Sequence, residues 1–131
     1  MTQPRIFIAD DNPGIVDRIC TILSAEFELA GTAQDGRSLV TEVEKHKPDV
    51  VILDISMPLM NGLEAAREIQ AAGSNAKLIF LSLHEDPALV RACFAEGATG
   101  YVIKYQLEPD LIHAINEALA GNSFISPIAR H

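Results

Sequence analysis

Three carboxylates, one hydroxyl and one ammonium stand out in this sequence because each lies at the end of a short apolar run. The five are Asp10, Asp11, Asp54, Ser82 and Lys104. Three carboxylates in one cleft repel each other and require a cation, and an oxygen donor set without Cys or His favours Mg²⁺ over Zn²⁺. A carboxylate is also a nucleophile toward phosphorus. The set therefore contains the parts for Mg²⁺-dependent phosphoryl transfer to an aspartate, with the ammonium and the hydroxyl neutralising and orienting the transferred group.

Each of these residues alone also has an ordinary structural interpretation. Asp10 and Asp11 could form a turn and a cap before the next helix, and Asp54 could be a strand-end turn residue. Ser82 and Lys104 taken singly are typical of solvated surface positions. Their joint occurrence at the ends of four different predicted strands favours one shared site.

The hydrophobic pattern predicts the elements that would bring them together. Short apolar runs indicate strands at 5–9, 27–33, 49–53, 77–81 and 100–103. Amphipathic segments follow each run, and several open on a residue that can cap a helix. The alternation predicts an α/β fold, a doubly wound parallel sheet with flavodoxin-like (βα)5 topology and strand order 2-1-3-4-5. In such a sheet the strands' carboxyl ends share one edge, so the five polar side chains are expected to converge there.

Length and composition limit the alternatives. A chain of 131 residues fits one domain, and its 48% hydrophobic residues suffice for an aliphatic core. The net charge of −8 argues against this chain binding a nucleic-acid backbone by itself. No apolar run approaches the roughly 20 residues that span a bilayer. Two cysteines, Cys20 and Cys93, form no disulfide framework, and a cytoplasmic domain without membrane contact is expected.

Several motifs together resemble the receiver domain of bacterial two-component response regulators. They are Asp10-Asp11-Asn12, then Asp54-Ile55-Ser56-Met57-Pro58 with Gly62 after it, Leu81-Ser82, and Gly97-Ala98-Thr99-Gly100-Tyr101 running to Lys104. The resemblance covers nearly the whole chain, from Arg5 to Gly121. It implies a signalling switch that catalyses phosphoryl transfer to its own aspartate and slow autodephosphorylation, without being a turnover enzyme.

The resemblance also implies a role for each residue of the site. Asp54 corresponds to the phosphoryl acceptor. Asp10 and Asp11, with Asp54 and the backbone carbonyl of Ser56, correspond to the Mg²⁺ ligands. Lys104 corresponds to the lysine that pairs with the phosphoryl group.

Further positions correspond to residues that switch or modulate the site. Ser82 matches the hydroxyl that turns toward the phosphoryl group, and Tyr101 matches the aromatic side chain that swings inward with it. Ser56 and His84 match variable positions that affect how fast the phosphoryl group is lost, although His84 alone also fits a solvated loop residue. Tyr105 departs from the family, where many receivers have Pro after the lysine and a cis peptide bond. The loop after Lys104 is therefore expected to be more mobile.

The stretch 81–86, with 90–92 and 97–101, is similar to the LuxR/NarL-type subclass. Its members carry a C-terminal helix-turn-helix DNA-binding domain, so residues 1–122 are interpreted as a receiver domain and 123–131 as the start of a linker to an output domain absent here. The resemblance implies a sensor histidine kinase as phosphoryl donor, a possible receiver homodimer, and DNA binding only through the missing domain. The fourth and fifth helices with the fifth strand would form the surface that changes. A natural single-domain regulator is the alternative.

Two other classes of protein share part of this pattern. A Mg²⁺-dependent phosphatase with an aspartate nucleophile would, in the haloacid-dehalogenase type, carry Asp-x-Asp after the first strand and a cap. Here Asp10 and Asp11 are adjacent, and the chain is short for a cap. A degenerate receiver would lack an acidic or lysine position, and none is missing.

Overall fold

Strands and helices alternate along residues 3–129, which are the residues that this computed structural model describes. The strands are β1 (Arg5–Ala9), β2 (Glu28–Ala33), β3 (Val50–Asp54), β4 (Lys77–Ser82), β5 (Ala98–Ile103) and β6 (Phe124–Ile125). The helices are α1 (Pro13–Leu23), α2 (Gly36–His46), α3 (Gly62–Ala71), α4 (Pro87–Ala95) and α5 (Leu107–Leu119). A 3₁₀ turn (Lys104–Gln106) joins β5 to α5, and a second one (Pro127–Ala129) follows β6.

All strands pair in parallel, in the order β2-β1-β3-β4-β5-β6. This confirms the predicted order 2-1-3-4-5 and adds a sixth strand. The central strand β3 is buried along its whole length because both faces of the sheet are covered. Its side chains alternate between two cores: Val51 and Leu53 pack with α2, α3 and α4, whereas Val50 and Ile52 pack with α1 and α5.

Side-chain caps begin helices α1 to α4 immediately after the loops at the carboxyl edge of the sheet. The Asn12 side chain accepts from the backbone N–H of Gly14 at 2.9 Å, as a cap at the start of α1. Asn61 and Glu64 form a reciprocal capping box at α3, with N–H···O distances of 2.9 and 3.2 Å. Short, capped connections of this kind restrict the positions of the residues at the strand ends.

The start of α3 approaches the end of β3 closely, and only glycine permits it. The Gly62 N–H donates to the carbonyl of Ile55 at 2.8 Å. A Cβ at position 62 would lie 2.9 Å from the Cα of Ile55 and overlap the carbonyl oxygen of Asp54. Gly62 therefore lets α3 pack directly beneath the loop that carries Asp54.

Several predicted boundaries were wrong by one to two residues. The second strand begins at Glu28, because the N–H of Phe27 still donates to Leu23 at the end of α1. The fifth strand begins at Ala98 and the fourth ends at Ser82. Pro109 lies inside the first turn of α5, where a missing N–H costs no helical hydrogen bond.

The sixth strand was not predicted. Residues 124–125 pair with Gly100 and Tyr101 on the outer edge of β5, although the sequence suggested only a linker there. A strand of two residues is too short to produce a periodic pattern. The assignment of 123–131 as a linker to a further domain stays a prediction, and residues 130 and 131 lie outside the described part.

The structure also describes the state of the two cysteines and the length and apolarity of the helices. Cys20 and Cys93 are free thiols, and burial raises the pKa of Cys93 to about 12. Within residues 3–129, none of the helices combines the length and apolarity needed to cross a bilayer.

Candidate functional site at the carboxyl edge of the sheet

The carboxyl ends of two neighbouring strands bring the three predicted acidic residues together. Asp10 and Asp11 follow β1, and Asp54 ends the neighbouring strand β3. One carboxylate oxygen from each of the three lies within 4.8 Å of the others. Asp10 is fully buried, Asp54 is 4% exposed, and Asp11 lies open to solvent. The cluster thus has a buried floor and one accessible side.

Lys104 lies against this cluster at the end of β5. Its Nζ atom is 2.9 Å from Asp54 Oδ2 and 3.0 Å from Asp10 Oδ2. Burial by itself would lower the pKa of Lys104, but the two carboxylates outweigh it and raise that pKa above its usual value. The lysine therefore stays charged across the neutral range.

In both Asp10 and Asp54, one carboxylate oxygen accepts a backbone N–H from the loop that follows, and the other oxygen faces Lys104. Asp10 Oδ1 accepts the N–H of Asn12 at 2.9 Å, and Asp54 Oδ1 accepts the N–H of Ser56 at 3.2 Å. The Oδ2 atoms of both face Lys104. Burial, reinforced by Asp10 and opposed by Lys104, raises the pKa of Asp54. The two backbone donors fix the orientation of the carboxylates.

The donor atoms fit a hard divalent cation. Asp10 Oδ2 is buried, and its close partner is the Lys104 ammonium at 3.0 Å, which it shares with Asp54 Oδ2. A buried carboxylate oxygen in this state is costly unless a further positive charge reaches it. Together with the oxygens of Asp11 and Asp54, it offers the all-oxygen environment that Mg²⁺ prefers to the nitrogen and sulfur sites typical of Zn²⁺.

Ser82 and Tyr101 meet at the backbone of His84, which the sequence did not predict. The Ser82 hydroxyl accepts the His84 N–H at 3.0 Å, and the Tyr101 hydroxyl donates to the His84 carbonyl at 2.7 Å. Tyr101 is fully buried, and burial raises its pKa, so that it remains a donor at neutral pH. The imidazole of His84 is exposed. Backbone groups of this kind carry no side-chain signal by which the sequence could reveal them.

The rim of the site includes exposed apolar residues on three loops. Leu59 is 79% exposed and has a positive φ of 68°, and Leu83 and Tyr105 are also exposed. The Tyr105 hydroxyl pairs with the Glu85 carboxylate. Within residues 3–129 there is no cis peptide bond, so the bond after Lys104 is trans.

A comparison with known families decides what kind of domain carries this cluster. Residues 6–116 match the model of the response regulator receiver domain. The chain belongs to that family. Receiver domains are in general phosphoryl-accepting signalling switches that interact with histidine kinases, and they are not turnover enzymes.

Relatives place this receiver domain among the LuxR/NarL type. It is 35% identical over 129 residues to the transcriptional regulatory protein DegU of Brevibacillus brevis, covering 97% of this chain and 55% of that protein. It is 34% identical over 114 residues to the chemotaxis protein CheY of Thermotoga maritima, covering 86% of this chain and 95% of that protein. The chain thus spans about half the length of the curated transcriptional regulators that it matches.

Solved structures agree with this assignment. A two-component response regulator of the LuxR family from a species of Aurantimonas superposes with a TM-score of 0.91 at 27% identity, over 96% of this chain and 91% of that one. The receiver fold expected from the sequence is therefore confirmed.

Proposed function

We propose that Asp54 of this domain accepts a phosphoryl group from the phosphohistidine of a sensor histidine kinase, with Mg²⁺ as cofactor. One observation carries the proposal: Asp54 presents one oxygen beside the Lys104 ammonium at 2.9 Å, within a cluster of three carboxylates. The kinase as donor is inferred from the family.

In the proposed reaction an oxygen of Asp54 attacks phosphorus while the P–N bond to the donor histidine breaks. Asp10, Asp11, Asp54 and the backbone carbonyl of Ser56 would hold Mg²⁺, which when bound neutralises charge on the phosphoryl oxygens. The N–H of Ser56 orients the acceptor carboxylate. Lys104 then pairs with the new phosphoryl oxygens in place of the Asp54 carboxylate, which has lost its negative charge.

The effect of phosphorylation would be transmitted to the surface of the domain through the loop between β4 and α4. Phosphorylation adds a charge of about −1.5 to −2 at the site. When the Ser82 hydroxyl turns toward the phosphoryl group, it loses the hydrogen bond that it accepts from the His84 N–H. The carbonyl of the same residue, His84, accepts the hydrogen bond from the Tyr101 hydroxyl. Both predicted switch residues thus act on one peptide segment, and a change there alters the surface formed by α4, β5 and α5. Ser56 and His84, which flank the acceptor and the switch, would modulate the phosphoryl lifetime.

Two outputs are supported by different relatives. Similarity to DegU and to other transcriptional regulators over about half of their length favours transcription control through a DNA-binding domain beyond this chain, as part of a cytoplasmic protein. Similarity to CheY over 95% of that protein favours a single-domain regulator that acts by protein contact. The two differ in whether the parent gene continues beyond His131 into a helix-turn-helix region.

Incubation with acetyl phosphate or beryllofluoride, with and without Mg²⁺, tests the phosphoryl-accepting role. We expect a Mg²⁺-dependent adduct on Asp54, located by mass spectrometry or NMR. Asp54→Asn should abolish it while the fold is retained, and the exposed Asp17→Asn should leave it intact. Failure of the wild-type domain to form the adduct would contradict the proposal. Multiple-turnover hydrolysis of a small phosphate ester would instead identify a phosphatase.

A further inference from the structure

The segment that follows α5 returns to the sheet beside the switch strand. After the αL glycine Gly121, β6 pairs with Gly100 and Tyr101 of β5. Ser126, the next residue, is completely buried. The outer edge of β5 is therefore covered by the chain's own C-terminal residues instead of being open to solvent.

Ser126 makes three hydrogen bonds in this position. Its N–H donates to the carbonyl of Tyr101 at 2.9 Å. Its hydroxyl accepts the N–H of Ile103 at 3.0 Å and donates to Asp110 Oδ2 at 2.7 Å. Asp110 lies in the first turn of α5 and is itself buried. One side chain thus joins the end of β5 to the start of α5.

The hydroxyl takes the place of a strand carbonyl at the point where backbone pairing with β6 ends. The N–H of Ile103, the last residue of β5, faces this edge of the sheet, and without Ser126 it would lose its acceptor. An unpaired buried N–H is unfavourable, so the end of β5 would move to find another partner. The next residue along the chain is Lys104, whose ammonium lies against Asp54 and Asp10.

Building on the phosphoryl-accepting function proposed above, we propose that Ser126 is a positioning residue for Lys104, acting through the backbone of Ile103. Asp110 orients the Ser126 hydroxyl by accepting its hydrogen bond, which leaves the oxygen lone pairs free to accept the Ile103 N–H. Asp10, Asp11, Asp54 and Ser56 lie on or after β1 and β3, on the other side of β4. This clamp, formed by Ser126 and Asp110, therefore acts on the site through Lys104 and makes no hydrogen bond to the proposed metal ligands.

This separation provides the test. Titration calorimetry measures the Mg²⁺ affinity, and then the beryllofluoride affinity at saturating Mg²⁺, of the wild-type domain and of Ser126→Ala. We expect the Mg²⁺ affinity not to fall, because a displaced Lys104 competes less with the metal for Asp10 and Asp54. Beryllofluoride should bind about tenfold more weakly, within the roughly 10²-fold that a displacement of ~1 Å can cause. The control is Val43→Ala, a buried substitution in α2 that lowers stability away from the clamp and should change neither affinity.

The outcomes separate this inference from the proposed function. Absence of any wild-type beryllofluoride adduct overturns the proposed function and this inference with it. If the wild-type domain forms the adduct and Ser126→Ala binds beryllofluoride with the same affinity, the inference alone is overturned. It is also overturned if Ser126→Ala and Val43→Ala both lose affinity for Mg²⁺ and for beryllofluoride to the same extent. Should Ser126→Ala not fold, Asp110→Asn keeps an uncharged acceptor, and it should weaken beryllofluoride binding less, in the same direction. Wild-type affinity in Asp110→Asn then overturns the inference.

Discussion

Lys104 contacts two of the carboxylates that a metal ion in the acidic cluster would bind. Its Nζ is about equally distant from Asp10 Oδ2 and Asp54 Oδ2, at 3.0 and 2.9 Å. The same two carboxylates are the most buried members of the proposed metal site. The lysine therefore stabilises the cluster in the absence of metal, and it repels a metal ion that enters.

Lys104→Ala should bind Mg²⁺ more tightly than the wild-type domain, by a factor on the order of ten, because a competing positive charge is removed. Acetyl phosphate should nevertheless phosphorylate the variant more slowly, because the phosphoryl oxygens lose a cationic partner. Calorimetry and a phosphorylation time course measure the two effects. Lys77→Ala, at the opposite edge of the sheet, is the control and should change neither. Weaker Mg²⁺ binding by Lys104→Ala would show that the lysine does not compete.

Asp54 makes the stability of the domain dependent on pH. Its pKa is raised in the folded state by burial, reinforced by Asp10 and only partly offset by Lys104. A raised folded-state pKa means that stability is fully present below the carboxyl's usual pKa and falls as the pH rises through the raised value. Ionisation of Asp54 in the absence of metal therefore opposes folding.

Asp54→Asn should accordingly unfold at a higher urea concentration than the wild-type domain at pH 7 without divalent ions. The difference should disappear below about pH 4, where the wild-type carboxyl is neutral as well. Urea titrations at a series of pH values check this. Asp17→Asn, on the exposed face of α1, is the control and should unfold close to the wild-type urea concentration. A wild-type domain more stable than Asp54→Asn at neutral pH would contradict the direction assigned to the pKa.

At the scale of elements, the loop between β4 and α4 is tied to β5 by the hydroxyl of one buried tyrosine. Tyr101→Phe removes the 2.7 Å bond to the His84 carbonyl while leaving the ring in place. We expect a loss of about 1 kcal/mol in the free energy of unfolding and faster amide exchange in residues 83–86. Chemical denaturation and hydrogen exchange measure both.

Tyr105→Phe is the matched control for that substitution. Tyr105 is 50% exposed, and its hydroxyl pairs with Glu85 at the surface, where such a contact contributes little. Its removal should change stability by less than about 0.5 kcal/mol. Equal effects of the two substitutions would mean that the bond from Tyr101 to the loop is not specifically stabilising.

The contact between α3 and the end of β3 depends on the absence of a side chain at position 62. Gly62→Ala should destabilise the domain by about 3 kcal/mol, because the new Cβ overlaps the backbone of Asp54 and Ile55. Thermal and urea unfolding measure the loss. Gly14→Ala, where a helical Cβ meets only the Asn12 side chain at 3.2 Å, should stay within about 1 kcal/mol of the wild-type value. A tolerated Gly62→Ala would show that α3 can move away from the site.

At the scale of the whole molecule, the net charge of −8 opposes binding of this chain to polyanions such as DNA. Phosphorylation makes it more negative, and DNA binding requires positive charge to displace counterions. We expect no binding of a labelled DNA duplex by this chain, phosphorylated or not, in fluorescence anisotropy at low ionic strength. Binding that weakens with added salt would contradict this expectation and indicate a basic surface on the receiver domain.

The sequence alone predicted the alternation of strands and helices and the residues of the candidate site, and it favoured the strand order 2-1-3-4-5 without proving it. Both depend on local patterns: apolar periodicity indicates each element, and parallel strands of this topology place their carboxyl ends at one edge. The convergence of Asp10, Asp11 and Asp54, with Lys104 beside them, followed from that rule and is present in the structure. Element boundaries were less accurate, since helix and strand ends depend on hydrogen bonds between segments, as at Phe27.

Only the tertiary structure decided how the switch residues and the C-terminal segment are held. Tyr101 donates to a backbone carbonyl 17 residues away, and Ser126, directly after a strand of two residues, bonds Ile103 and Asp110. Two of these contacts pair a hydroxyl with a backbone group that every residue possesses, and the third pairs Ser126 with Asp110, 16 residues away in the chain. They leave no periodicity or composition in the chain, and for that reason a segment that resembled a linker forms the outer edge of the sheet.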